Sequence, residues 1–202
     1  MSDETLPDSQ RRIVEAAAEA FAEQGYHATA TKDIARRAGV AEGTIFRYYP
    51  SKKALLIGAV GPLFLRALTP LVRGQLEAIF STDYPDFQSF VRALATERLA
   101  FAQSHPLLLK LVLQEIPFHP ELREQFRSTV FAAVFPLATG AVTRFQERGI
   151  IRAGPPATVV RLLISVIGGY ILARVVLAPQ DQWSDAEEIE AMAVFLAKGL
   201  AP

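Results

Sequence analysis

The sequence predicts an all-α fold, and three observations support that prediction. Apolar residues recur at helical spacing, as in the run that contains Ile13, Ala17 and Phe21. No segment shows the strict apolar–polar alternation that is typical of half-buried strands. Glycine or proline stands at most of the positions where one periodic segment gives way to the next, as expected at helix ends. With 202 residues, half of them hydrophobic, the chain is long enough to bury a full core.

The first elements follow from these signals in chain order. We expect the first nine residues, which are polar, to form a disordered tail. A helix is predicted over Asp8–Gln24, because its apolar residues share one face and Gly25 can end it. A longer helix should begin at Ser51 and be interrupted or kinked at Gly61-Pro62 and at Pro70. We divide the chain into an N-terminal domain, residues 1–54, and a helical domain, residues 55–202.

The remaining helices are marked out by prolines and by Gly149. We predict helices over residues 87–104, 105–116, 121–148, 155–177 and 185–200, with a break bracketed by Pro117 and Pro120 and a kink at Pro136. The longest uncharged apolar run, residues 162–173, has twelve residues and is too short to span a bilayer. The first residues also lack the basic and apolar regions of a signal peptide. We therefore expect a cytoplasmic protein without a membrane partner.

Composition also bears on enzymatic function. The chain has no cysteine and only three histidines, and none of these is placed with carboxylates at metal-ligand spacing. No phosphate-binding glycine loop or nucleophile elbow is present. We predict no metal, no cofactor and no enzymatic activity.

Residues 29–55 contain the segment that is most informative about function. Gly39 follows Ala38 where a first short helix must stop, and glycine reaches a left-handed C-terminal conformation without steric cost. Residues 41–48 can then form about two further helical turns. Two short helices joined by a tight turn indicate a helix-turn-helix unit. An ordinary helical hairpin is the alternative, since such turns occur in many proteins.

Charge placement favours the DNA-binding interpretation. The whole chain is balanced, with 21 basic and 21 acidic residues, yet residues 27–54 hold six basic and two acidic ones. The resulting local charge of +4 is suited to a phosphate backbone. The six basic residues are Lys32, Arg36, Arg37, Arg47, Lys52 and Lys53.

Two lysines stand where a helix disfavours them. Ser51 reads as an N-cap, so Lys52 and Lys53 fall in the first turn, where positive charge opposes the helix macrodipole. A phosphate oxygen bound at this helix start would offset that cost. Two solvated lysines are the alternative. Of the adjacent tyrosines, we assign Tyr48 to phosphate and Tyr49 to the core, on the grounds that Phe46 and Tyr49 share a face.

The same residues resemble the DNA-binding domain of TetR-family transcriptional regulators over about fifty N-terminal positions. The matching residues are Gly25-Tyr26, Thr29, Asp33-Ile34-Ala35, Ala38-Gly39-Val40, Gly43-Thr44-Ile45, Tyr48-Tyr49 and Ser51-Lys52. The resemblance implies a helical homodimer, usually a repressor, that binds a DNA operator and is controlled by a small molecule in its C-terminal domain. Ala41 stands where the family usually has serine, and Phe46 where it usually has tyrosine.

From this resemblance and the residues themselves we predict a DNA interface that reads a near-palindromic operator. Arg47 is suited to guanine and Glu42 to cytosine, while Gly43 allows close approach of the backbone. The predicted DNA-binding residues are Thr31, Lys32, Glu42, Gly43, Thr44, Arg47, Tyr48, Lys52 and Lys53. A helical protein-interaction adaptor without sequence-specific DNA binding is the alternative, but it does not account for the local positive charge.

The last two helices predict a dimer interface. Residues 159–177 are apolar nearly all round. Gly168-Gly169 in their middle destabilises a helix, and close approach of another backbone would offset that cost. A four-helix interface between two copies fits this pattern, and a monomer core is the alternative. The predicted interface residues are Val159, Leu163, Ile167, Gly168, Ile171, Ile189, Met192, Phe195 and Leu196.

The middle helices predict a pocket for a small, largely apolar effector. Nine of the thirteen phenylalanines lie between residues 64 and 135, and such a core could enclose a ligand held by a few polar groups. A plain aromatic core is the alternative. The predicted ligand-binding residues are Phe64, Glu97, Arg98, Phe101, His105, Gln114, Phe118, Phe131 and Tyr170.

Overall fold

The structure is a computed structural model that describes residues 6–105, 109, 112–113, 115–180 and 182–202. Its described residues are helical and contain no strand, which confirms the all-α prediction. The helices are α1 (Asp8–Gln24), α2 (Thr31–Ala38), α3 (Glu42–Tyr48), α4 (Lys52–Ser81), α5 (Phe87–Ser104), α6 (Pro120–Glu147), α7 (Pro156–Leu177) and α8 (Asp185–Gly199). A 3₁₀ turn, Ile116–Phe118, precedes α6. Helix α1 begins at Asp8, so residues 8 and 9 do not belong to a tail.

The predicted interruptions do not break the long helices. Leu56–Val60 forms a π turn within α4, and the Gly61 N–H bonds to the Leu56 carbonyl, so the helix continues into Pro62. A second π turn, Arg127–Phe131, precedes Pro136 in α6. Pro70 and Pro136 both lie inside helical segments. Wider turns of this kind accommodate local misfit in the hydrogen-bond ladder without ending the helix.

The chain forms two compact units. The first contains the described residues up to Thr69 together with those from 109 to Thr129, and the second contains 70–105 with the described residues from Val130 onward. The boundaries between these compact units lie inside α4 and α6, whereas the sequence-based division into domains is placed at residue 54. The later segment joins the N-terminal unit because Leu122 is buried in the same cluster as Ile13 and Leu56. A methyl group at Gly61 would collide with Leu122, which explains why glycine allows α4 and α6 to approach here.

The second unit is built around α5. Phe87, Phe90 and Val91 on this helix are almost fully buried, and Phe145 of α6 packs edge-on against Phe87 with ring centroids 5.2 Å apart. Helix α8 packs along α5, and an ion pair of 2.7 Å between Arg92 and Glu190 joins the two helices. Helix α7 packs on α6 and α5.

Within the part of the chain that the structure describes, three helices are long and apolar enough, by length and composition alone, to cross a membrane: α4, α6 and α7. The twelve-residue run in the sequence understated this length, because α7 continues through Arg161 and Arg174 at either end of the run. All three helices also carry buried residues that pack within their own units.

Candidate functional site

The turn between α2 and α3 has the geometry that the sequence predicts. Gly39 is left-handed (φ 63°, ψ 40°), and its N–H bonds to the Arg36 carbonyl. The Val40 N–H bonds to the Ala35 carbonyl at 3.0 Å. These two bonds close α2 as a Schellman motif, which satisfies its last carbonyls and turns the chain sharply into α3. Ala41 caps α3 without a side-chain hydrogen bond, as expected from its lack of a hydroxyl.

Helix α3 buries one side and exposes the other. Ile45 is fully buried in the core of the first unit, whereas Gly43, Phe46 and Arg47 are exposed. No atom would lie within 4 Å of a methyl group at Gly43, so a ligand can approach the backbone there. The exposed side is therefore small at its N-terminal end and carries one aromatic and one cationic side chain further along. This combination suits contact with the edges of bases.

Thr31 and Glu42 bond to each other. The Thr31 hydroxyl donates to a Glu42 carboxylate oxygen at 2.6 Å and thereby links the first turns of α2 and α3. In this arrangement the Thr31 hydroxyl proton is not free for a phosphate, and one Glu42 oxygen is already engaged. The contacts of Thr31 and Glu42 with DNA stay predictions, and each would require this hydrogen bond to be shared or opened. Thr44 is half-buried beside them.

Tyr49 lies in the core as predicted, but it does not share a helix face with Phe46, which was the reason for that prediction. Tyr49 is buried, and its hydroxyl accepts a hydrogen bond from Gln10 at 3.0 Å. Phe46 is 45% exposed, because α3 ends at Tyr48 and Tyr49 is extended (φ −134°), so helical spacing does not relate the two rings. Phe46 is thus a surface residue of α3 that sequence reasoning assigned to the core.

Tyr48 lies at the edge of the exposed side. Its hydroxyl is 3.0 Å from the Ser9 hydroxyl and accepts from the Arg47 guanidinium at 3.2 Å. These hydrogen bonds, that of Ser9 first, lower the pKa of Tyr48. The Arg47 guanidinium also lies 5.0 Å from the centre of the Tyr48 ring. Arg47 itself is exposed and can reorient toward a ligand, while the Tyr48 hydroxyl is fixed close to the start of α1.

Lys52 bonds to the protein's own backbone. Its ammonium donates to the carbonyls of Tyr26 and Thr29 at 2.8 and 2.9 Å, with the His27 carbonyl further away at 3.4 Å. It also lies 4.4 Å from the centre of the Tyr26 ring. The three ammonium hydrogens are therefore directed at the α1–α2 loop, residues 25–30. Lys52 thus bonds to this loop in the structure, and its contact with a phosphate stays a prediction.

The other cations remain accessible. Lys32 is exposed in the first turn of α2. Lys53 is half-exposed and lies 3.5 Å from the Glu121 carboxylate, a surface pair that contributes little and can open. Ser51 caps α4 as predicted, because its hydroxyl oxygen accepts from the Ala54 N–H at 3.0 Å. Lys32, Arg47 and Lys53 are the predicted basic contacts that the structure leaves available.

The second unit contains an apolar cavity of about 230 Å³. Among the described lining residues, Arg98 alone is charged, and Glu97 forms an ion pair with it. Helices α4, α5, α6 and α7 all contribute to the lining. The lining residues are Leu76, Phe80, Leu94, Arg98, Phe131, Val134, Phe135, Ala138, Val160, Leu163, Ile164, Ile167, Gly168 and Ile171.

Only two of the predicted ligand residues, Arg98 and Phe131, line this cavity. Phe101 stacks on His105 with ring centroids 4.3 Å apart and does not belong to the lining, and Glu97 contributes only through Arg98. Phe64 and Phe118 belong to the first unit, where Phe118 is 74% exposed. The Tyr170 hydroxyl donates to Asp185 at 2.6 Å instead of to a cavity. Gln114 lies outside the described residues.

Most of the predicted dimer residues contact their own protomer. Val159, Ile189 and Leu196 are buried in the second unit, while Leu163, Ile167, Gly168 and Ile171 line the cavity. Met192 is half-buried, and Phe195 is 68% exposed. The large apolar residues that α7 exposes are Leu162, Ile164, Val176 and Leu177. The predicted interface residues of α7 therefore face the cavity and core of their own protomer, since a helix that is apolar all round does not reveal which face is internal.

Comparison with known proteins agrees with this arrangement. Residues 13–59 match the family described as bacterial regulatory proteins, tetR family. The fatty acid metabolism regulator protein of Bacillus subtilis is 28% identical over 162 residues, which cover 76% of each chain. The HTH-type transcriptional repressor KstR of Mycolicibacterium smegmatis is 38% identical over 66 residues, 33% of this chain and 32% of that protein.

A solved structure extends the likeness of fold to nearly the whole chain. FadR from Bacillus subtilis, in complex with stearoyl-CoA, superposes with a TM-score of 0.67 at 21% identity, covering 94% of this chain and 98% of FadR. The first unit contains the family's helix-turn-helix, and the relatives are transcriptional regulators. Residues 13–59 therefore form a DNA-binding domain of the TetR family, and the chain as a whole is similar to transcriptional regulators of that family.

Proposed function

We propose that this chain is a homodimeric repressor that is released from a near-palindromic operator by an apolar ligand. The observation that carries the proposal is the exposed side of α3, where Gly43, Phe46 and Arg47 stand beside a left-handed turn that fixes the helix. A protein that acts on bacterial DNA works in the cytoplasm, which is the location we propose for it.

Base reading and phosphate binding would be divided among different residues. We assign Arg47 to the O6 and N7 atoms of a guanine, and the Gly43 backbone to close approach at the groove. Phe46 is suited to the methyl group of a thymine. Lys32 and Lys53 would supply phosphate contacts that carry no sequence information. A short recognition helix needs both kinds of contact, since phosphate contacts orient it and base contacts select the site.

A homodimer would place two such helices on one duplex. Two-fold symmetry in the protein is matched by a near-palindromic operator with half-sites about one helical turn apart. The apolar residues that α7 and α8 expose, among them Leu162, Val176 and Phe195, support pairing between copies. Among the described residues, a methyl group at Gly169 would meet no atom within 4 Å apart from the backbone of its own helix, so a second backbone could approach there.

The cavity supports an acyl chain as the ligand class. Its lining is aliphatic and aromatic, and the Arg98 charge is balanced by Glu97, so the cavity favours an uncharged chain over an anion. The related FadR structure contains stearoyl-CoA. For the ligand to act, its affinity must differ between the DNA-binding and the released states.

Fluorescence anisotropy with the duplex upstream of the chain's own gene tests the proposal. We expect saturable binding that withstands competitor DNA and is weakened by acyl thioesters of suitable length. Ile167→Trp fills the cavity and should remove the ligand response while DNA binding persists. Leu71→Trp, at an exposed position of α4 outside the cavity lining, is the matched control and should keep the response. No preference for any duplex over competitor would refute the assignment as a sequence-specific regulator.

A further inference from the structure

A hydrogen bond joins the first residue of α2 to the first residue of α3. The Thr31 hydroxyl donates to Oε1 of Glu42 at 2.6 Å. This length falls in the range of about 2.5–2.7 Å for hydroxyl-to-carboxylate bonds, which are stronger than bonds between neutral groups. The bond spans the whole helix-turn-helix turn and fixes the Glu42 carboxylate relative to α2.

Buried residues one turn further along anchor both ends of this bond. Ile34 follows Thr31 by three positions, and Ile45 follows Glu42 by three positions. Both isoleucines are fully buried. Residues three apart are neighbours on a helix surface, so each helix start is held close to the core. Threonine is also branched at Cβ and restricted about χ1, so its hydroxyl is a rigid donor for the more flexible glutamate.

The Glu42 side chain lies beside the exposed side of α3. Glu42 itself is half-buried, while Gly43 next to it is exposed. Phe46, one helical turn further along, is 45% exposed. The carboxylate therefore stands next to the two residues that the proposed function assigns to the major groove.

A carboxylate at this place can discriminate among bases. An ionised carboxylate has two oxygens with about four lone-pair positions and no donor, so Glu42 can be shared between Thr31 and a second donor. In the major groove cytosine presents an N4 amino donor, whereas adenine combines its N6 donor with the acceptor N7. Guanine and thymine present acceptor oxygens. Acceptors repel a carboxylate, so cytosine is the base that fits it.

We propose that Thr31 is a positioning residue for base recognition: its hydroxyl holds Glu42 so that the carboxylate accepts from the N4 amino group of one cytosine. This inference rests on the proposed function as an operator-binding regulator and adds the residue that orients one of its base contacts. Thr31 then acts through Glu42 and not through a phosphate, because its single hydroxyl proton is used within the protein. Without the hydroxyl, the Glu42 side chain is distributed over several rotamers, and fewer of them reach the base.

The negative charge of Glu42 provides a second signature. The local charge of +4 in residues 27–54 attracts DNA of any sequence, and a carboxylate in this surface opposes that attraction. Glu42→Gln should therefore strengthen binding to non-specific duplex. A glutamine side chain can bond to both N6 and N7 of adenine, so the same substitution should move the base preference from cytosine towards adenine.

Selection of bound duplexes from a randomised library by the full chain, followed by sequencing, measures the preference at every base pair. The wild type should favour cytosine at one position by about 5- to 150-fold. Thr31→Val replaces the hydroxyl by a methyl group and should weaken this preference by about 2- to 10-fold. Thr31→Ser keeps a hydroxyl and should retain it. The guanine preference assigned to Arg47 is the internal reference and should persist in both Thr31 variants.

A double variant tests whether the two residues act as one unit. Thr31→Val combined with Glu42→Gln should show the same preference at this position as Glu42→Gln alone, because Thr31 acts only through the carboxylate. Thr31→Ala removes the same hydroxyl and replaces Thr31→Val if that variant does not fold.

Two outcomes would overturn the positioning role while the regulator proposal stands. One is uniform weakening of all duplexes by Thr31→Val, since Thr31 would then bind a phosphate. The other is an unchanged base preference in Thr31→Val or in Glu42→Gln, although the wild type selects a duplex. A wild type that selects no sequence would instead refute the regulator proposal, and this inference with it.

Discussion

Replacing Lys52 by methionine tests the structural role of this lysine against the phosphate role that its position suggests. The substitution keeps the apolar stem but removes two short hydrogen bonds to the Tyr26 and Thr29 carbonyls and the contact with the Tyr26 ring. Hydrogen bonds with a charged donor contribute about 1.5–3 kcal/mol each when buried. Because Lys52 is only half-buried, we discount the total to about 1–3 kcal/mol for solvent screening.

For a chain of this size that loss lowers Tm by roughly 2–12 °C. Lys53→Met is the matched control, since the neighbouring lysine is half-exposed and has only the Glu121 pair; its effect should stay within about 0.5 kcal/mol. In DNA binding, Lys52→Met should leave the slope of log K against log salt unchanged, whereas Lys32→Met should reduce it by about one unit. An unchanged Tm together with a slope reduced by one unit in Lys52→Met would show that its ammonium leaves the loop for a phosphate.

Three further predictions concern other parts of the chain. Arg47→Ala should relax preference at a single base pair by about 1–3 kcal/mol, measured by competition among operator variants; uniform weakening would make it a phosphate contact. Gly39→Ala should destabilise by about 1–2 kcal/mol in urea because of its positive φ, while Gly43→Ala, in open helical backbone, should stabilise by up to about 1 kcal/mol; equal effects would contradict the left-handed turn. Hydrogen bonds from Tyr170 and then Arg174 lower the pKa of Asp185, so their stabilisation is present above the ordinary value of 3.8 and is lost as pH falls through the lower folded value. Asp185→Asn should lack this acid-dependent loss in unfolding experiments, and an unaltered acid profile would count against the contact.

The helices could be predicted because the residues that begin and end them lie close to them in the sequence. The bounds of α1 and α5 agree with the sequence to the residue, since Gly25 ends the first and Asp86 accepts from the Ser89 N–H at the start of the second. The turn at Gly39 was predictable for the same reason. An interruption or kink was predicted at Gly61-Pro62 and a kink at Pro136, whereas the π turns that precede these prolines leave no mark in the sequence.

The cavity and the interface could not be separated from sequence. Leu163, Ile167 and Ile171 recur at helical spacing, which is the pattern of any helix face that packs against something. Whether this face lines a cavity, packs in a core or contacts a second copy depends on neighbours from α4, α5 and α6, which are distant in the chain. Phe131 and Arg98 were found only because their residue types suggest an apolar site with a polar anchor.

Two kinds of group can offset the unfavourable position of Lys52 in the first turn of its helix. Positive charge in the first turn of a helix is unfavourable, and the sequence offers phosphate as the group that offsets it. The structure offers the carbonyls of Tyr26 and Thr29, which present negative partial charge at the same place and are part of the folded chain at all times. These carbonyls belong to the protein itself, so Lys52 stabilises the helix-turn-helix unit before DNA binds. The exposed lysines at 32 and 53, by contrast, are free to bind a phosphate when one is present, and the two kinds of lysine should therefore differ in salt dependence.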